Sequence, residues 1–186
     1  MRQLSFFLLA LGLSLFFSAW ICMPKKKKPL KTFTISGTVF TQGEYCGGAV
    51  PSEEQLHPKP APAPALVLYV REGNVNTGSK KLVDSVTSDA NGNFSLQLPA
   101  GNYCFVEGWK KGRLVMPKDD QFSSWDTACY RENYSSCDFS LDVKAATDSV
   151  KIILPRHCAW SQPCCSYHGP LPPAANPGPR NNMHQE

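Results

Sequence analysis

Beyond Lys31 the sequence has no cluster of basic residues interleaved with aromatics, which excludes the usual nucleic-acid surface. The formal charge of +4 misleads: six of the 19 basic residues (Arg2, Lys25, Lys26, Lys27, Lys28 and Lys31) come first, and the other 13 face 15 acidic ones, leaving about −2. No Gly-x-Ser-x-Gly, His-Glu-x-x-His, phosphate-binding loop or Gly-x-Gly-x-x-Gly occurs. With none of these, the sequence offers no enzyme chemistry, and no cofactor is expected. There is no Cys-x-x-Cys pair, so neither a zinc ribbon nor an activated redox dithiol is present. Asp119 and Asp120 are adjacent in a polar loop and read as solvated or capping groups rather than paired catalytic carboxylates. No internal repeat is found.

What is present in quantity is cysteine, eight residues, and proline, sixteen. Eight cysteines in a loop-rich chain of 186 residues indicate an oxidising compartment. The prolines gather in 51–64 and 163–179, outside any expected core. Residues 4–23 form a nearly unbroken apolar run after Arg2. Residues 1–22 are expected to be a secretory signal or a membrane anchor, with three outcomes open: lipidation of Cys22, retention as an uncleaved span, or cleavage and release. Residues 23–31 form a basic tether. The chain is expected in the cell envelope, periplasm or outer membrane, held to the membrane through its N-terminus. Residues 169–186 are polar and proline-rich, and are expected to be disordered.

Between them, apolar and polar residues alternate with the period of two that marks half-buried strands. Seven strands follow: one over 32–41, a second beginning at Leu66, then 82–88, 93–98, 102–109, one through Phe139, Leu141 and Val143, and one through Val150, Ile152 and Leu154. Asp89, Asn91 and Gly92 supply a turn, as do residues 99–102. In the fifth strand Tyr103 and Phe105 face one way, Cys104 and Val106 the other, so this strand should be central. Pro51 opens one helical turn over 51–56. Phe122, Trp125 and Cys129, with Ser123 and Asp126 as a capping box, predict a short helix within 119–133. The fold class is all-β: a seven-stranded antiparallel Greek-key sandwich over 32–156, with a short helical insertion and a Cys-rich clasp over 157–168.

Three motifs then stand in order: Ile35-Ser36-Gly37-Thr38-Val39, Thr87 through Gly92 to Phe94, and Leu98-Pro99-Ala100-Gly101-Asn102-Tyr103. Together they resemble the carboxypeptidase regulatory-like, or transthyretin-like, domain. Tyr45-Cys46-Gly47-Gly48, with a closing segment from Cys158-Ala159-Trp160 through Pro163-Cys164 to Tyr167 and Pro173, resembles a family of secreted proteins from the Bacteroidetes. The resemblance implies a β-sandwich accessory module with no catalytic residues.

In sandwiches of this kind the first and last strands run side by side and parallel. That implies a bridge from Cys46 to one of Cys158, Cys164 and Cys165. Cys129 and Cys137 lie close in sequence and are expected to pair with each other. With Cys104 these seven are the disulfide candidates, and one is left over, Cys164 or Cys165. The leading function is a non-enzymatic envelope module with a structural, ligand-binding or protein-binding role. Its expected contact surface is Tyr45, Gly47, Gly48, Trp160 and Tyr167, toward a protein or glycan partner. Two alternatives stay open: a zinc or copper protein using His157, Cys158, Cys164, Cys165 and His168, and a carbohydrate-binding module stacking sugars on the exposed aromatics.

Overall fold

The alternation at the start of the body becomes a twelve-residue strand, β1 (Thr32–Gly43), with Ile35 and Val39 buried on one face. The structure, a computed structural model, describes residues 30–170 apart from 49 and 79. The leader or anchor at 1–22, Cys22, the tether up to 29 and the tail from 171 lie outside the described residues. Among the described residues no helix is long and apolar enough to cross a membrane.

After β1 come α1 (Glu53–Leu56), β2 (Ala61–Pro62), β3 (Val67–Glu72), β4 (Leu82–Thr87), β5 (Asn93–Pro99), β6 (Gly101–Glu107) and α2 (Gly108–Lys111). Then follow β7 (Ser123–Trp125), α3 (Thr127–Ser135), β8 (Phe139–Val143), β9 (Thr147–Arg156) and β10 (Cys165–Tyr167). The seven expected strands correspond to β1, β3, β4, β5, β6, β8 and β9. Three short strands are additional, which corrects the strand count.

Two four-stranded sheets share one core. In the first, β5 and then β2 pair along one edge of β1, while β9 pairs along the other. The second has the order β4-β3-β6-β8, all antiparallel. Ile35, Val39, Phe94, Leu96, Leu98, Ile152 and Leu154 meet Leu68, Val70, Tyr103, Phe105 and Val143 in a single cluster. The one parallel pairing among otherwise antiparallel neighbours is that of β1 with β9, the first and last of the seven expected strands. Parallel neighbours need a long connection, and the whole domain lies between these two strands.

The motif residues acquire physical reasons. Ile35 and Val39 fill the core, while Gly37 lies where β9 passes so close that a Cβ would overlap the carbonyl of Val150. The β1–β9 register shifts between Ile35 and Gly37. Tyr103 is buried and donates its hydroxyl to the Pro99 carbonyl at 3.0 Å. Burial, with the Glu72 charge, pushes its phenol upward.

The turn before β5 is built on Asp89. Its Oδ1 accepts from the backbone amides of Asn91 and Asn93 at 2.8 Å each, and Gly92 takes φ +79°. These amides, Asn93 first, hold the exposed Asp89 carboxyl below the usual aspartate value. A lowered folded value stabilises the fold above the ordinary aspartate pKa, about 3.9. That contribution disappears as pH falls through the lower folded value. We expect Asp89→Asn, which keeps the acceptor and removes the charge, to melt below the parent at pH 7. The difference should shrink as the pH is lowered from 7 to about 2. Equal melting temperatures at both pH values would mean that the charge contributes nothing.

On its outer face β6 presents Cys104 and Val106, both fully buried although they lie outside the shared core. Residues 108–138 attach on this side. Asn76, 2% exposed, donates to the carbonyls of Lys110 at 3.0 Å and Tyr134 at 2.9 Å, so the β3–β4 loop is tied to the insertion.

Candidate functional site

Among the described residues three disulfides cross-link the sandwich, the insertion and the clasp. In the parallel register Gly43 stands beside Arg156, so the chain leaves both strands at the same pole. Cys46 and Cys158 bridge there, with Cα atoms 5.6 Å apart. Glu44 reinforces the link, accepting from the Cys158 amide at 2.7 Å and lying 3.3 Å from His157 Nδ1.

The other two bridges differ from the local pair expected. Cys129 joins Cys164, and Cys137 joins Cys104. The reason is helical. Asp126, not Ser123, is the N-cap, accepting from the amides of Ala128 and Cys129. From Cys129 to its last residue, Ser135, the helix α3 rises about 9 Å at 1.5 Å per residue, and Cys137 lies two residues beyond. A disulfide tolerates at most about 7 Å between Cα atoms. The helix is shorter at its start than expected because β7 takes 123–125 to pair with β10. Cys165 remains a free thiol.

The alternative metal cluster is not assembled. Cys158 and Cys164 are held in disulfides, so neither offers a thiolate. His157 pairs with Glu44, while the His168 Nε2 lies 3.3 Å from Ser124 Oγ. Among the described residues the one group with ligand atoms in reach of one another is Glu44, Cys46 and Cys158, and two of those are a disulfide.

Between the insertion and the clasp lies a cleft of about 600 Å³. Trp109 and Lys110 enter it from α2, Trp125 from β7, Tyr130 and Asn133 from α3, Arg156 from the end of β9, and Gln162 from the clasp. The Tyr130 ring centre lies 6.1 Å from that of Trp109 and 5.5 Å from that of Trp125, the latter contact edge-on. Burial, with Tyr134 beside it, pushes the Tyr130 phenol upward. Trp109 is 47% exposed.

The charged groups of the cleft are matched to each other. Arg156 grips Glu107 with both terminal nitrogens, at 2.6 and 3.0 Å. Lys110, 2% exposed, meets Asp138 Oδ1 at 2.7 Å and Ser136 Oγ at 3.3 Å. Asp138 Oδ2 accepts from the Glu107 amide at 2.8 Å, joining the two pairs. Both ends of α3 are fixed covalently, through Cys129 to the clasp and just beyond its last turn through Cys137 to β6. The cleft is thereby preorganised, which lowers the entropic cost of filling it.

The surface expected from sequence is partly assembled, in a neighbouring groove of about 590 Å³. Tyr45 and Trp160 line it with Leu56 and His57. Gly47 lies under the Tyr45 hydroxyl, where a Cβ would overlap it, and Gly48 is exposed. Tyr167 does not join them. It pairs with Ser123 in the β7–β10 ladder and donates its hydroxyl to the Pro170 carbonyl at 3.2 Å.

The sequence reading missed Trp109, Trp125, Tyr130 and the two ion pairs. Trp109 ends an apolar strand and reads there as strand. Glu107 and Arg156 are 49 residues apart and meet through the fold.

No protein-family model matches this chain, and no curated protein matches it. Among solved structures it is similar to a DUF3823 family protein from Parabacteroides merdae, with 16% identity over 68% of this chain and 47% of that one, at a TM-score of 0.35. It is also similar to the shaft pilin SpaA from Lactobacillus rhamnosus GG, with 13% identity over 67% of this chain and 49% of that one, at the same TM-score. The chain spans about half the length of the solved proteins it matches.

Proposed function

We propose that this protein is an exported, non-enzymatic binding module whose recognition surface is the cleft between insertion and clasp. The observation that carries the reading is the clamping of α3 at both ends by disulfides, beside a cleft walled by three aromatic rings. Cross-links of this kind are made outside the cytosol. Glu107, Arg156, Lys110 and Asp138 are bonded to one another, so none is left as a free general acid or base. The envelope is the compartment that suits this chemistry, with the N-terminus as signal or anchor and Cys22 as its lipid attachment point. The groove at Tyr45 and Trp160 is a second contact surface.

The chain passes from β4 to β5 in the other sheet and back to β6, which supports a Greek-key connection. The three motifs fall on core and turn positions, which supports the likeness to carboxypeptidase regulatory-like domains.

Cys129 is exposed and Cys164 half-buried, whereas each of the other bridges has a buried cysteine, Cys158 or Cys104, so the Cys129–Cys164 bridge is the one most open to reductant. We expect the oxidised protein to co-sediment with envelope material from the organism that makes it. Replacing Cys129 and Cys164 by serine should lower that retention at least about tenfold with the β-sandwich intact. No retention of the oxidised parent, or equal retention of the variant, would refute the reading.

A further inference from the structure

The geometry points to a neutral sugar chain as the ligand of the aromatic cleft, an inference that rests on the binding role proposed above. Charge balance decides between ligand classes. A cationic ligand would seek an open aromatic face or a free carboxylate. Here Lys110 Nζ already sits 4.9 Å from the Trp109 ring centre, and both carboxylates hold cations. An anionic ligand would seek an unpaired cation, but Arg156 and Lys110 are each spent on a carboxylate. What remains is a neutral surface of ring faces edged by polar groups.

Sugars suit both parts. The C–H face of a pyranose is apolar and packs on an aromatic face, where the ring carries its negative charge density. A hydroxyl both donates and accepts, and so do the amides of Asn133 and Gln162. The Glu107–Arg156 pair leaves further lone pairs and N–H groups for the same purpose. A half-exposed tryptophan held in place by Tyr130 and Tyr134 is a platform that water does not favour and that a stacked ring would cover. A volume of about 600 Å³ accommodates a short stretch of chain rather than a folded partner. The sugar-binding role therefore moves from Trp160 to Trp109, Trp125 and Tyr130.

The test uses the oxidised full-length protein and neutral hexasaccharides of glucose, mannose and xylose, with hexagalacturonate as the acidic counterpart, followed by calorimetry and tryptophan fluorescence. At least one neutral hexamer should bind saturably, Trp109→Ala should weaken it about tenfold or more, and hexagalacturonate should bind at least about tenfold more weakly. Val115→Ser, at an exposed apolar position that does not line the cleft, should leave binding unchanged. Because Trp109 is half exposed, its loss should not unfold the protein, and a thermal melt checks this. Saturation by no neutral hexamer, or equal affinity in Trp109→Ala, overturns the inference. A second arm separates the two readings. Periodate treatment of envelope material should abolish co-sedimentation. Retention that survives periodate and is lost to protease would overturn the sugar ligand and leave the binding role standing. No retention on untreated material would overturn the binding role itself.

Discussion

Replacing Cys46 and Cys158 together by serine should lower the unfolding free energy by about 4–5 kcal/mol. The bridge closes a loop of 112 residues, against 33 and 35 for the other two. On the chain-entropy account the shorter loops contribute about 3.7 kcal/mol each, so the Cys46–Cys158 bridge is the largest single contributor. Its effect acts on the unfolded chain, which without it can separate its first and last strands. The denaturant slope should therefore rise as well, because the released chain exposes more surface. Both residues must change, since a single substitution leaves a new thiol beside the free Cys165 for exchange. Guanidinium unfolding without reductant measures both quantities. A loss below about 1 kcal/mol with an unchanged slope would show that the link does not restrain the unfolded ensemble.

Asp138→Ala should cost about 3–5 kcal/mol. Lys110 is 2% exposed, and its charge would lose the carboxylate 2.7 Å away. The Glu107 amide would lose its acceptor as well. The cost is the burial of an unpaired charge rather than the worth of the pair, and a second variant separates the two. Lys110→Met with Asp138→Asn removes both charges and keeps an oxygen for Glu107, and should cost less than about 1.5 kcal/mol. If the double variant loses as much as Asp138→Ala, packing rather than the orphaned ammonium holds this wall of the cleft.

The strands were legible where turn chemistry frames them. Asp89 to Gly92 and Pro99 to Asn102 bracket β5, and four consecutive apolar residues marked β6 as central, where it lies between β3 and β8. The ladder of β7 and β10 was not legible. Three residues cannot show a period, and Ser123 pairs with Tyr167 across 44 positions. The Cys129–Cys137 expectation failed because nearness in sequence ignores the length of a helix between them. The cleft was hidden for a related reason. Nothing in the sequence around Lys110 marks it as buried, yet α2 turns it inward to Asp138, and the partner lies beyond α3. Trp109, Trp125 and Tyr130 share no sequence period, and the cross-links that bring them together are properties of the fold.

The clamping of α3 between β6 and the clasp is tested most directly by mapping the cross-links of the oxidised protein, using mass spectrometry of unreduced peptides. The account predicts three linked pairs, Cys46 with Cys158, Cys104 with Cys137 and Cys129 with Cys164, and an alkylatable Cys165. A peptide joining Cys129 to Cys137, or all seven thiols alkylated without reductant, would contradict it.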